Sequence, residues 1–162
     1  MNKRGMGRRI RYAAITAIVC IIFIATSLAW VGQKSAQSEV CREGAPRPLF
    51  IKERILVCAS VADTVQSRAQ GLSGRAGLAE GEGMLFVFPQ DGKYGFWMKD
   101  MRFSIDILWL AADGKIVYIA ENVSPDSFPQ SFESDVPARY VLELPAGYTA
   151  LHSIAVGDGV RL

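Results

Sequence analysis

The sequence predicts a mainly β (α+β) fold, a compact small barrel or sandwich of about six to seven short strands with one or two short helices. This domain sits behind an N-terminal transmembrane helix. Three observations lead there. From Met84 onward the apolar runs are short and punctuated by turn dipeptides, Asp91-Gly92 and Asp113-Gly114 among them, which is the rhythm of hairpins. Helical spacing recurs only briefly, after Asp63 and near Tyr148. The chain also opens with Lys3, Arg4, Arg8, Arg9 and Arg11 ahead of an uncharged run from Tyr12 to Val31.

Residues 1–11 form a basic segment, which the bias of cationic flanks keeps in the cytoplasm. As a helix, residues 12–31 rise about 30 Å, enough to cross a hydrocarbon core, and Trp30 suits the interface. The run is either an uncleaved anchor in the inner (cytoplasmic) membrane or a signal peptide. In the second case cleavage near Ala29, after the small-x-small sequence Ser27-Leu28-Ala29, releases the domain to the periplasm. Residues 32–48 are polar and read as a linker. Residues 49–162 form the exported domain. Of 18 Lys and Arg, five lie in the first 11 residues, leaving 13 against 16 acids, a balance of about −3. The basic pI therefore belongs to the anchor, and no nucleic-acid partner is expected.

Within the domain, Arg54–Ser60 reads as a first strand. Asp63 is placed as a helix N-cap with Gln66 as its capping-box partner, and Gly71 as the stop. Val65, Arg68, Ala69 and Leu72 share one face at helical spacing, which puts the Arg68 guanidinium along a packed surface. Met84–Phe88 and Tyr94–Met98 flank Asp91-Gly92 as one hairpin, and Ile105–Leu110 and Lys115–Glu121 flank Asp113-Gly114 as a second. Ala138–Leu144 is a further strand, Tyr148–His152 a helical turn, and Asp158–Leu162 a last strand. Asn122–Pro137 is the longest unpatterned stretch, a length at which loops are usually functional or mobile. Its Phe128 and Phe132 either pin the loop to the core or form a lid over a pocket.

Cys41 and Cys58 both fall in the exported part. They either form a disulfide worth about 3 kcal/mol or remain two thiols, with Cys58 buried as a small hydrophobe. One histidine at these spacings argues against a zinc site, and no cofactor signature is present. Gly71-Leu72-Ser73-Gly74-Arg75 is not a nucleophile elbow, because Arg75 occupies the closing glycine position.

The candidate site consists of charged residues set in apolar patterns. Strand alternation sends Phe96 and Met98 toward a core, and Trp97 and Lys99 to the other side, an apolar surface ending in a cation. Such a surface suits an anionic or ring-bearing ligand, or else is a half-buried strand whose lysine reaches water. Asp106 shares a face with Leu108 and Leu110, so its carboxylate needs a partner if that face is buried. Arg68 is the expected partner, directly or through Lys99. Glu143 shares its face with Val141 and Arg139, the pattern of a solvated ion pair.

The order Arg68-x-x-Gly71-Leu72, Gly83-Met84-Leu85-Phe86, Phe96-Trp97-Met98-Lys99 and Asp106 resembles the domain of unknown function 192 family. Gly114, Pro125, Val141-Leu142-Glu143-Leu144, Ala146-Gly147 and Gly157-Asp158 continue the likeness, which spans about residues 54–162. It implies a small β-rich fold, often behind a signal or anchor, and no established activity. Ser73-Gly74, Asp100-Met101 and Ser104-Ile105 depart from the family pattern, and any ligand contact made by an Asn-Thr pair is altered at Asp100-Met101. Two functions are compatible with these residues. One is a binding or envelope-assembly module for a small ligand or partner protein, built on Arg68, Trp97, Lys99 and the Phe-bearing loop. The other is a hydrolase-like enzyme using Asp106 or Glu143 as general base.

Overall fold

The computed structural model describes Cys41 and residues 47–162. The basic segment, the 12–31 run and all of the expected linker but Cys41, Arg47 and Pro48 lie outside the described residues. Among the described residues, no helix is long and apolar enough to cross a membrane.

The domain is mainly β. Its strands are β1 (Arg47–Ile51), β2 (Ile55–Ala62), β3 (Glu82–Gly92), β4 (Phe96–Trp97), β5 (Ile105–Leu110), β6 (Ile116–Val123), β7 (Ser131–Phe132), β8 (Ala138–Pro145) and β9 (Val160–Arg161). Two short helices, α1 (Val65–Gln70) and α2 (Tyr148–Leu151), and a 3-10 turn at Pro125–Ser127 complete it. Seven strands form one curled half-barrel sheet in the order β6-β5-β8-β3-β2-β1-β9, and β4 with β7 makes a small separate ribbon. Only β2 and β3 run parallel, joined by the crossover that carries α1. The segment around β9 links the two ends of the curl. Ile51 pairs with Val160 on one side, while Ile116 N donates to Asp158 O and Val160 N to Gly114 O, both at 2.9 Å, on the other.

Strand alternation divides the apolar side chains between two cores. Leu85, Leu108, Leu110, Leu142 and Leu144 face one, with Leu49, Ile51 and Val57. Met84, Phe86, Ile105, Ile107, Trp109 and Val141 face the other, with Leu72 and Met98. All six residues of β5 are buried because both its faces are covered. Trp109 has no exposed surface, and its indole N–H donates to Tyr94 O at 2.9 Å, so the polar edge of a large buried ring is satisfied.

Four local expectations differ from the structure. The cap of α1 is Thr64, not Asp63. Thr64 Oγ1 accepts from Ser67 N, and Thr64 N donates to Ser67 Oγ, each at 3.0 Å, so Ser67 rather than Gln66 closes the box. No residue of α1 is buried, and Val65 is 80% exposed. The helix stops at Gln70, Gly71 turns the chain at φ +51, and Leu72 enters the core only after that break.

Asp91-Gly92 does not close a hairpin, because β3 continues through it and Gly92 pairs with Ala138 on β8. The Asp91 carboxylate accepts from Arg139 Nε at 2.7 Å, and the reversal comes later, where Phe88 and Tyr94 stack at 3.5 Å. The first strand is also not Arg54–Ser60. β1 precedes it, and Lys52 and Glu53 turn the chain at φ 54 and 60. Pro48 is tolerated in β1 because β9 pairs only Phe50 and Ile51, leaving Pro48 on an open edge where its missing N–H costs no ladder bond. Of the two states expected for Cys41 and Cys58, the structure holds the disulfide, with Cα atoms 5.4 Å apart.

Candidate functional site

A pocket of about 350 Å³ opens on the second core's side of the sheet, among the end of α1, β3 and the 93–97 segment. α1 contributes Arg68 from its last turn. The guanidinium Nη1 donates to the carbonyls of Asp63 at 2.6 Å and Val87 at 2.9 Å, and it lies 5.2 Å from the Phe88 ring centroid. These contacts hold the cation against an aromatic face. Gly71 lets the chain pass close to the pocket wall, since a Cβ there would come within 3.3 Å of the Phe86 ring.

The walls are aromatic and mutually braced. Phe86 meets Phe96 edge-on at 4.8 Å, Phe88 stacks on Tyr94, and Phe96 meets the buried Trp109 edge-on at 5.8 Å. Phe96 is held in the β4–β7 ribbon opposite Phe132. Trp97 also lines the pocket but is 59% exposed, so it forms part of the rim.

Glu143 lines the same pocket from β8, between Met84 of β3 and Ile107 of β5. A strand so placed has both backbone edges occupied by ladder bonds, so no neighbouring amide is free to turn toward the side chain. The residue is 6% exposed, and its Oε2 is buried without a hydrogen-bond partner among the described residues. Loss of solvation raises its pKa to about 8, against a smaller opposing pull from Arg75. At neutral pH Glu143 is therefore mostly a neutral acid that can donate a hydrogen bond. It becomes an acceptor when a cation or donor arrives. Burial overturns the solvated ion pair with Arg139, whose guanidinium is engaged by Asp91.

Of the residues singled out from sequence, the structure brings Arg68, Trp97 and Glu143 to one pocket. Lys99 is exposed and not part of the lining. Phe128, 46% exposed, stands at the end of the 3-10 turn, and Phe132 packs against the second core. Neither lines the pocket, so the loop is pinned by Phe132 rather than closed over the pocket as a lid.

Asp106 has no exposed surface and does not pair with Arg68 or Lys99. Its Oδ1 accepts from Asn122 N at 2.8 Å and Gly147 N at 3.1 Å, and its Oδ2 from Thr149 N at 2.9 Å and Thr149 Oγ1 at 2.7 Å. It ties β5 to the end of β6 and the start of α2. Its carboxylate shares the Leu108 and Leu110 face, while the pocket lies on the other side of the sheet. Alternation therefore forbids the expected pair.

Sequence reasoning missed Phe86, Phe88, Lys93 and Tyr94 as lining residues. The density of aromatics between Phe86 and Trp97 was the available signal. Among the described residues, no three His, Cys, Asp or Glu side chains converge to hold a metal ion.

A curled half-barrel with an aromatic pocket on one face and an unsatisfied buried acid in its lining defines a small β-rich domain with a built cavity. The chain belongs to the DUF192 family, an uncharacterized ACR, whose family profile matches residues 50–162. Among solved structures, it is similar to a protein from Sinorhizobium meliloti 1021 described as a candidate transcription regulator. That pair has a TM-score of 0.68 and 31% identity, covering 74% of this chain and 96% of that one. It is also similar to a protein of unknown function from Novosphingobium aromaticivorans DSM 12444. Here the TM-score is 0.69 and the identity 26%, over 75% of this chain and 96% of that one. No curated protein matches the chain.

Proposed function

We propose that the chain is a membrane-tethered, extracytoplasmic binding module whose pocket takes a small ring-bearing anionic ligand. The observation that carries this reading is the convergence of Arg68, Trp97 and a braced set of phenyl rings on one cavity of about 350 Å³. That volume falls in the range of small-molecule sites, which are mostly apolar with a few placed polar groups. Tethering and export rest on the N-terminal cations and the uncharged 12–31 run. The regulator description of the Sinorhizobium meliloti protein does not favour a nucleic-acid role here, since residues beyond the first 11 carry fewer cations than acids.

The test is titration of the full-length chain in detergent micelles with 3-phenylpropionate, followed by calorimetry and Trp emission. Binding should be saturable, weaker for the uncharged 3-phenylpropanol, and lost in Trp97→Ala. Trp97 is largely exposed, so its loss leaves folding intact. Absence of saturable binding by any ring-bearing anion would overturn the proposal.

A second reading keeps the hydrolase-like role for Glu143, whose ionised fraction, growing as pH rises toward its pKa of about 8, could act as general base through the unpaired Oε2. Asp106 is not suited to that role, since four hydrogen bonds engage its two oxygens. Phenyl ester hydrolysis abolished by Glu143→Gln with binding retained would favour the enzyme. Retention of any such activity in the variant would exclude it.

A further inference from the structure

We infer that the ligand is amphoteric: besides a ring and an anionic group, it carries an amine that reaches the Glu143 carboxyl inside the aromatic walls. This inference rests on the binding role proposed above and specifies the ligand class of the same pocket. Glu143 is the one acid in the lining, and the cations there are Arg68 and Lys93. The pocket thus offers two cations and one buried carboxyl group with an unpaired oxygen to one small molecule. A ligand bearing only an anion would satisfy the cations and leave Oε2 of Glu143 unpaired. A buried polar atom left unpaired is a standing cost, and an ionised Glu143 would also repel that anion. An ammonium group removes both penalties, and Phe86 and Phe96 line the same pocket, where an aromatic face attracts a cation.

A proton change follows from the same geometry. The charged or titratable groups around Glu143 are Arg75, which acts on it through space, and Arg68, Lys93 and Tyr94 of the lining. Arg68 is already bound to two backbone carbonyls. With a pKa of about 8, Glu143 is mainly protonated at pH 7. An arriving ammonium favours its ionised form, so binding releases up to about one proton.

Calorimetry of the full-length chain in micelles at pH 7, in two buffers of different ionisation enthalpy, tests this with three probes. These are phenylalanine, 3-phenylpropionate and 2-phenylethylamine. Phenylalanine should bind at least about tenfold more tightly than either single-charge probe and release protons, and Glu143→Gln should abolish both the preference and the release. If 3-phenylpropionate binds as tightly as phenylalanine, with no proton release, the amine contact is refuted while the ring-anion site stands. Equal binding of 2-phenylethylamine and phenylalanine refutes the amphoteric ligand. If no probe carrying an anion binds, both the inference and the site fall.

Discussion

Replacing Glu143 with Gln should change how the stability of the fold depends on pH, with a sign and size that follow from burial. The Glu143 pKa is about 8 in the folded chain, against 4.5 for the free group. Between those values the folded state holds a proton that the unfolded state has released. Stability therefore falls as pH rises through that window. The shift amounts to a loss on the order of 4–5 kcal/mol by pH 9, at about 1.4 kcal/mol per unit. That is a large share of the 5–15 kcal/mol that holds a typical domain. Gln has nearly the same shape and no charge to desolvate.

Denaturant unfolding of the full-length chain, read by emission from the fully buried Trp109, is the assay. Near pH 5 the wild type and the Gln variant should be close in stability. At pH 9 the variant should be more stable by several kcal/mol, and the gap should open progressively between. Other carboxylates contribute to both curves and cancel in the difference. Parallel curves from pH 5 to 9 would mean that Glu143 is hydrated or paired in the folded protein, and would remove the physical basis for reading it as a ligand contact.

Asp106→Ala should destabilise the fold by about 3–5 kcal/mol, because it strands three backbone amides and the Thr149 hydroxyl. Thr149→Val should cost about 1–2 kcal/mol, and a loss below 0.5 kcal/mol for Asp106→Ala would show that these donors find other acceptors. A double-mutant cycle of Asp106→Ala with Arg68→Met should be additive, since the two lie on opposite faces, and strong coupling would contradict that placement. Protein recovered from the exported compartment should yield Cys41 joined to Cys58 by non-reducing mass mapping, and Cys58→Ser should lose about 3 kcal/mol of stability. A reporter fused after Leu162 should be active only outside the cytoplasm; activity inside would end the export proposal.

Features governed by local chemistry were legible in the sequence. The β5–β6 hairpin forms where Gly114 adopts φ +83 and Asp113 Oδ1 accepts from Lys115 N at 3.0 Å, contacts within three residues. The α2 turn and β8 were likewise readable from short patterns. Partnerships between distant segments were not. The parallel β2–β3 ladder leaves no mark on either strand's alternation, and β1 hid behind Pro48 in a polar context. Asp91-Gly92 carries the dipeptide of a hairpin, yet Arg139, 48 residues away, holds Asp91 in an extended strand. At the site, alternation placed Phe96 and Met98 inward and Trp97 outward, in accord with their burial. It could not show which of the two sheet faces each buried acid occupied relative to Arg68. Two acids at alternate-face positions of neighbouring strands look alike until the strands are paired.

Those two acids separate the structural from the functional use of a buried charge. Asp106 opposes Leu144 and Glu143 opposes Ile107 in the β5–β8 ladder, so they sit one step apart in register with side chains on opposite faces. Asp106 lies near the start of β5, where the chain leaving β6 and entering α2 supplies backbone amides that are not committed to the sheet. Glu143 lies mid-sheet, with strand neighbours on both sides and hydrocarbon across its face. The fold supplies donors to the first acid from its loops and has none to offer the second from its ladder. Any donor for Glu143 must therefore come through the pocket mouth. A ligand that supplies it binds the folded chain and not the unfolded one, raising stability by RT ln(1 + [L]/Kd). That gain should be greatest at alkaline pH, where the uncompensated carboxylate weakens the fold most, so a stabilising effect of phenylalanine that shrinks from pH 7 to 8.5 would break the link between the two.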